Sequence, residues 1–229
     1  MKRLLLTSVL ISLISIGSYA QVGDLRNSLS VGGHAGATAS RVNFSPSIRQ
    51  QQQYGATAGL ALRYTSEKYF FLICAAQLEA NFVQRGWNEL IEDGSGNTYS
   101  RQTDYVEIPF LAHLGFGREA RGVQGFVNLG PQMGFLLSDR ETYGGQTPWD
   151  ISNRPNGVTE QYNKEIENDF EYGITGGLGL ELRTGIGFFT IEGRYYFGLS
   201  DMFSNSKKDY FGRSANSSIY ARVAYMFEL

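Results

Sequence analysis

Between Leu29 and Phe227 the chain alternates apolar and polar side chains in eight separate stretches. A period of two residues is the mark of a strand with one apolar face. The stretches run over about Leu29–Ala37, Tyr54–Tyr64, Tyr69–Arg85, Thr103–Phe116, Gln124–Leu137, Phe170–Arg183, Phe188–Leu199 and Ser217–Phe227. The third carries Leu72, Cys74, Ala76, Leu78, Ala80 and Phe82 on one face, with Gln77, Glu79, Asn81 and Arg85 on the other. The fourth sets Val106, Ile108, Phe110, Ala112 and Leu114 against Tyr105, Glu107 and His113. The seventh sets Phe189, Ile191, Tyr195 and Phe197 against Glu192, Arg194 and Tyr196.

The connections alternate too. Those at about 38–53, 86–102, 138–169 and 200–216 are long and rich in Asn, Ser, Gly and Gln. Those at Thr65–Lys68, Gly117–Gly122 and Thr184–Gly187 are brief. A soluble sandwich has no reason to keep all its long loops at one end, whereas an outer-membrane barrel does so as a rule. The expected fold is all-β: an eight-stranded antiparallel up-and-down transmembrane β-barrel with long extracellular loops and short periplasmic turns. A soluble β-barrel is the rival reading.

The two readings put the charges in different places. Glu79, Glu107, Glu181 and Glu192, with Arg63, Arg194 and Arg222, all fall mid-strand opposite the aliphatic stripe. In a soluble barrel that face meets water. In a membrane barrel it is the lumen, which eight strands make just wide enough for side chains to fill. Charges there have to pair, because an unpaired buried charge is costly. The expected lumen network is Glu79, Glu107, His113, Glu181, Glu192, Arg194 and Arg222, with Glu79 and Glu107 meeting Arg194 and Arg222 across the interior. A lumen so filled leaves no solute channel.

The N-terminus bears on compartment. A basic start at Lys2-Arg3 and an apolar run from Leu4 to Ile16 precede Ser18-Tyr19-Ala20, a small-x-small cleavage pattern. Residues 1–20 are therefore expected to be a cleaved signal peptide and 21–229 the barrel domain, located in the cell outer membrane. Composition agrees: 28 glycines and 31 aromatic residues against 18% charged residues describe a β-rich chain, not a disordered one. The net charge of −2 provides no basic patch for nucleic acid. The single cysteine, Cys74, excludes an intrachain disulfide.

Four segments carry a family resemblance: Ala76–Gly86 (AQLEANFVQRG), Tyr105–Leu111 (YVEIPFL), Gly125–Gly134 (GFVNLGPQMG) and Gly193–Asp201 (GRYYFGLSD). Through them the chain resembles the PorT-like outer-membrane β-barrel family of Gram-negative envelopes, over roughly Leu29 to Phe227. The resemblance implies the barrel fold and an outer-membrane location. It says almost nothing about activity; the family takes its name from a member linked to protein secretion and maturation.

Candidate chemistry is sparse. His34 and His113 both fall on the lumen face, where pairing with carboxylates is the expected role, and no G-x-S-x-G elbow is present. The acidic groups between Asp150 and Asp169 lack the spacing of a calcium loop. Tyr143, Trp149 and Tyr162 are open to two readings, a contact site or an aromatic cap. No catalytic residue, cofactor or metal is expected. The expected partners are outer-membrane lipid, the barrel assembly machinery and an envelope protein met through the loops. The function expected is non-enzymatic: structural, adhesive or assembly-partner. A membrane-embedded enzyme acting on lipid or peptide, or a narrow pore, are the alternatives.

Overall fold

The eight apolar stripes become eight antiparallel strands closed into one barrel, each paired with its sequence neighbours and β1 with β8. The computed structural model describes residues 27–69, 72–117, 122–145, 148, 149, 151, 154 and 157–229, with backbone alone at 67–69. The strands are β1 (Ser28–Ser45), β2 (Gln50–Tyr69), β3 (Leu72–Glu89), β4 (Thr98–Phe116), β5 (Gly122–Gly144), β6 (Phe170–Thr184), β7 (Gly187–Gly198) and β8 (Arg213–Glu228). The proposed signal peptide lies outside the described residues.

The alternation has an inside-out burial. Leu60, Phe110, Leu129, Leu178, Ile191 and Val223 all point outward and are more than half exposed, while Glu79, Glu107 and Arg194 are no more than 3% exposed. A water-soluble protein does not present such a belt. On β2 the outward apolar run lasts from Tyr54 to Tyr64. At ~3.3 Å per residue and a tilt of ~40°, that run is about 25 Å tall, the height of a hydrocarbon core.

Several strands continue well past this belt. β1 runs to Ser45, β3 to Glu89, β4 begins at Thr98 and β5 reaches Gly144. The join expected at 38–53 is therefore reduced to residues 46–49, and the other long joins to 90–97, 145–169 and 199–212. The extensions carry polar residues such as Arg41, Gln102 and Arg140 on their outer face, so no apolar stripe announces them. The turn expected at Thr65–Lys68 lies farther on, because a register irregularity between Thr65 and Glu67 lets β2 continue to Tyr69.

Close strand approach is bought locally by glycine. At Gly86, with φ of +141°, a Cβ would stand 1.9 Å from the Arg101 carbonyl oxygen. Only glycine fits there. That position lies between two inward side chains, Arg85 and Trp87, which belong to the two layers described next.

Candidate functional site

The interior is stratified along the barrel axis. Among the described residues, the lumen below the loop end buries Arg63, Arg85, Arg183, Arg194 and Arg222 together with Glu79, Glu107, Glu171, Glu181 and Glu192, each no more than 7% exposed. Strand parity places them, since every one sits on the face opposite the lipid stripe.

The central layer is a four-membered ring. Arg194 Nη1 and Nη2 each donate to Glu79 at 2.9 Å, and Arg222 Nη1 donates to Glu79 Oε2 at 2.9 Å. Glu192 accepts from both: Arg194 Nε at 3.0 Å and Arg222 Nη2 at 2.5 Å. Gln77 and Asn81 also donate to Glu79, so its lone pairs are saturated. Below it, Glu181 accepts from Arg63 and from Arg183. Above it, Arg85 contacts Glu107 and Glu171 and lies 4.4 Å from the Tyr196 ring centroid. Each anion thus faces at least one cation, and forked guanidinium–carboxylate geometry makes these the strong class of charge-assisted bond.

Glu79, Arg194, Arg222 and Glu192 come together as expected from their positions. Glu107 does not join them. It stands opposite Asn81, a layer above Glu79, and takes Arg85 and the Tyr220 hydroxyl instead. Among the described residues His113 makes no direct carboxylate contact: its Nδ1 pairs with Asn128 Oδ1 at 2.8 Å, and Asn128 in turn donates to Glu192. His34 pairs with Asn81 at 2.7 Å and lies 3.9 Å from Glu79. Glu171, Arg85 and Arg183 lie outside the expected network, yet all three share the lumen parity of their strands and join the ionic layers. Their signal was the alternation itself.

The loop end is closed by different chemistry. Val42, Phe44, Ile48, Trp87, Tyr99, Val158, Ile166, Met202, Phe203 and Phe211 form one apolar cluster drawn from the strand extensions and the three joins at 46–49, 145–169 and 199–212. Phe44 meets Trp87 edge-on at 5.2 Å. Trp149 and Tyr162 are perpendicular at 4.8 Å, and the Arg154 guanidinium sits 4.5 Å from the Trp149 ring centroid while pairing with Asp93. Of the two readings of Tyr143, Trp149 and Tyr162, the cap is what forms. The ring wall above short β6 and β7 is completed by loop backbone: Leu136 N donates to Asp169 O, Glu167 N to Met202 O, and Met202 N to Ser214 O.

Glu89, inside this cap, is pushed upward. Burial raises Glu89 above the usual carboxylate range, against hydrogen bonds from Tyr162 and Gln161 that lower it. A raised folded value means that Glu89 stabilises the cap most below the ordinary carboxylate value, and that this contribution is lost as pH rises through the raised one. Tryptophan fluorescence of the cap is therefore expected to report a tighter state at mildly acidic pH than at neutral pH. Glu89→Gln should flatten that dependence; an unchanged profile would assign it to another group.

With lumen and cap defined, comparison with known proteins is informative. A family model described as "Outer membrane protein beta-barrel domain" matches residues 19–204. The chain belongs to this outer-membrane β-barrel family. Its place is accordingly the cell outer membrane. Among solved structures, the outer membrane protein OprG from Pseudomonas aeruginosa is 12% identical with a TM-score of 0.47, covering 90% of this chain and 98% of that one. Ail, the attachment invasion locus protein of Yersinia pestis, solved with a heparin analogue, is 14% identical with a TM-score of 0.39, covering 87% and 99%. The outer membrane enzyme PagL is 12% identical with a TM-score of 0.40, covering 87% and 99%. At these identities nothing about activity passes from them to this chain. No curated protein matches it in sequence.

Proposed function

We propose that this barrel is a non-conducting, non-enzymatic outer-membrane protein of PorT-like kind that acts through its loop end, as an adhesive or assembly partner for another envelope component. Export by a cleaved signal peptide, membrane insertion by the barrel assembly machinery and an extracellular orientation of the loops belong to the same reading. The observation that carries it is the doubly closed interior: paired charges fill the lumen in layers, and an apolar cluster covers them at the loop end. A protein built to pass solutes has no use for either. Both histidines lie inside, bonded to asparagine and away from the loop surface, which supports a role outside catalysis.

Planar bilayers test the first part. The wild-type chain is expected to show no steady conductance once inserted, and a large, stable open level would replace this reading with a pore. Cross-linking from loop residues such as the half-buried Ser95 and the exposed Asn205, in intact cells followed by solubilisation, tests the second. A discrete protein adduct at the loop sites, missing at the turn residue Gly185, is the expected result. Equal adducts from both ends would argue against loop-specific partnership.

A further inference from the structure

The outer wall of β7, β8 and β1 changes character where the lipid-facing belt ends. Tyr195, Ile219 and Ala39 are opposite one another across these strands and make the last row that is apolar on all three. The next outward row is Phe197, Ser217 and Arg41, in register in the same way. Arg41 is exposed. Arg213, also exposed, begins β8 four residues farther up, and its guanidinium turns back to lie 5.4 Å from the Phe197 ring centroid. Ser217 therefore stands between Arg41, its register partner on β1, and Phe197, its partner on β7, which carries the Arg213 guanidinium.

Neither arginine forms an ion pair among the described residues. Asp201, near the start of β8, is engaged by Ser214 N and Asn205 instead. Between the arginines, Ser217 is 2% exposed and its Oγ has no hydrogen-bond partner. An orphaned hydroxyl at this depth needs explaining, because buried polar groups are almost always satisfied. On the membrane side of the row the wall is hollowed. Small outward side chains at Ala35, Gly193 and Ala221, between Ile191 and Val223, leave an apolar furrow of about 320 Å³.

We infer that this face binds a phosphate-bearing lipid of the surrounding membrane, its phosphate held between Arg41 and Arg213 over Ser217 and one acyl chain laid along the furrow. The charge sign selects an anion, and forked guanidinia suit phosphate oxygens. The height selects the source, since a group at the edge of the hydrocarbon belt meets lipid head groups. The inference rests on the membrane-spanning fold and is independent of the proposed loop function.

Native mass spectrometry of the full chain, refolded in neutral detergent and titrated with phosphatidic acid micelles, provides the test. One phosphatidic acid should be retained per barrel, in preference to phosphatidylcholine. Arg41→Gln and Arg213→Gln should each weaken retention about fivefold, as a basic group at a membrane surface does, and the double variant about twenty-five-fold. Ala221→Leu, which fills the furrow, should weaken it with both arginines intact. Equal retention by wild type and double variant, or of phosphatidylcholine as strongly as phosphatidic acid, overturns the site. Displacement by an equal concentration of inorganic phosphate would overturn the lipid in favour of free phosphate. A heat-modifiable gel band in every variant separates loss of this site from loss of the barrel.

Discussion

Glu79→Gln is expected to lower the stability of the refolded barrel by about 3–5 kcal/mol, the usual effect of removing one member of a buried ionic group. Glu79 is the acceptor shared by Arg194 and Arg222, so its neutralisation leaves two guanidinia with Glu192 as their remaining carboxylate. Arg194→Ala should cost a similar amount, because it strips Glu79 and Glu192 together of a forked donor. The double variant, with one charge of each sign removed, should cost less than the two single changes combined, since contacting residues are coupled. The pair Arg49–Glu92, 62% and 57% exposed, is the control, where ~0–1 kcal/mol is expected. Urea-gradient unfolding in detergent would measure all of these. Additive effects below ~1 kcal/mol at Glu79 and Arg194 would mean that water solvates the lumen, and the closed-interior reading would go with it.

Trp87→Ala should produce the second large effect, and in a different place. Trp87 is fully buried in the cap, against Phe44 and Tyr99, with the Arg101 guanidinium 5.6 Å from its ring centroid. Truncating a buried tryptophan costs about 3–5 kcal/mol through lost contacts and the cavity left behind. The cluster lies above the lipid-facing belt, so the loss should fall on the cap and the loops it holds. Limited proteolysis is expected to cut the 145–169 loop much faster in the variant, while the heat-modifiable band of the barrel persists. Loss of that band at room temperature would show that cap and barrel unfold as one unit.

The two predictions draw on different sources of information. Strand number, the face each strand turns to lipid and the class of residue in the lumen all follow from local alternation. A side chain two positions along a strand returns to the same face, and the belt outside must be apolar whatever its partners are. Glu79, Glu181, Glu192, Arg194 and Arg222 could be assigned to the interior on that ground. Arg85, Glu171 and Arg183 obey the same rule.

Which charges meet was decided only when the barrel closed. Arg222 and Glu79 are 143 positions apart in the chain, and nothing local relates them. Their contact depends on strand stagger and on the narrow bore that brings opposite walls within reach of two side chains. The same stagger lifts Glu107 a layer, to Arg85, and leaves His113 connected through Asn128. The strand extensions and the cap were hidden for a related reason. Beyond the membrane a strand no longer needs an apolar outer face, so the alternation fades while the backbone pairing continues. There Phe44, Trp87, Tyr99, Phe203 and Phe211, scattered through chain that reads as loop, find one another only because closure gathers three strand extensions and the 199–212 join over a single opening.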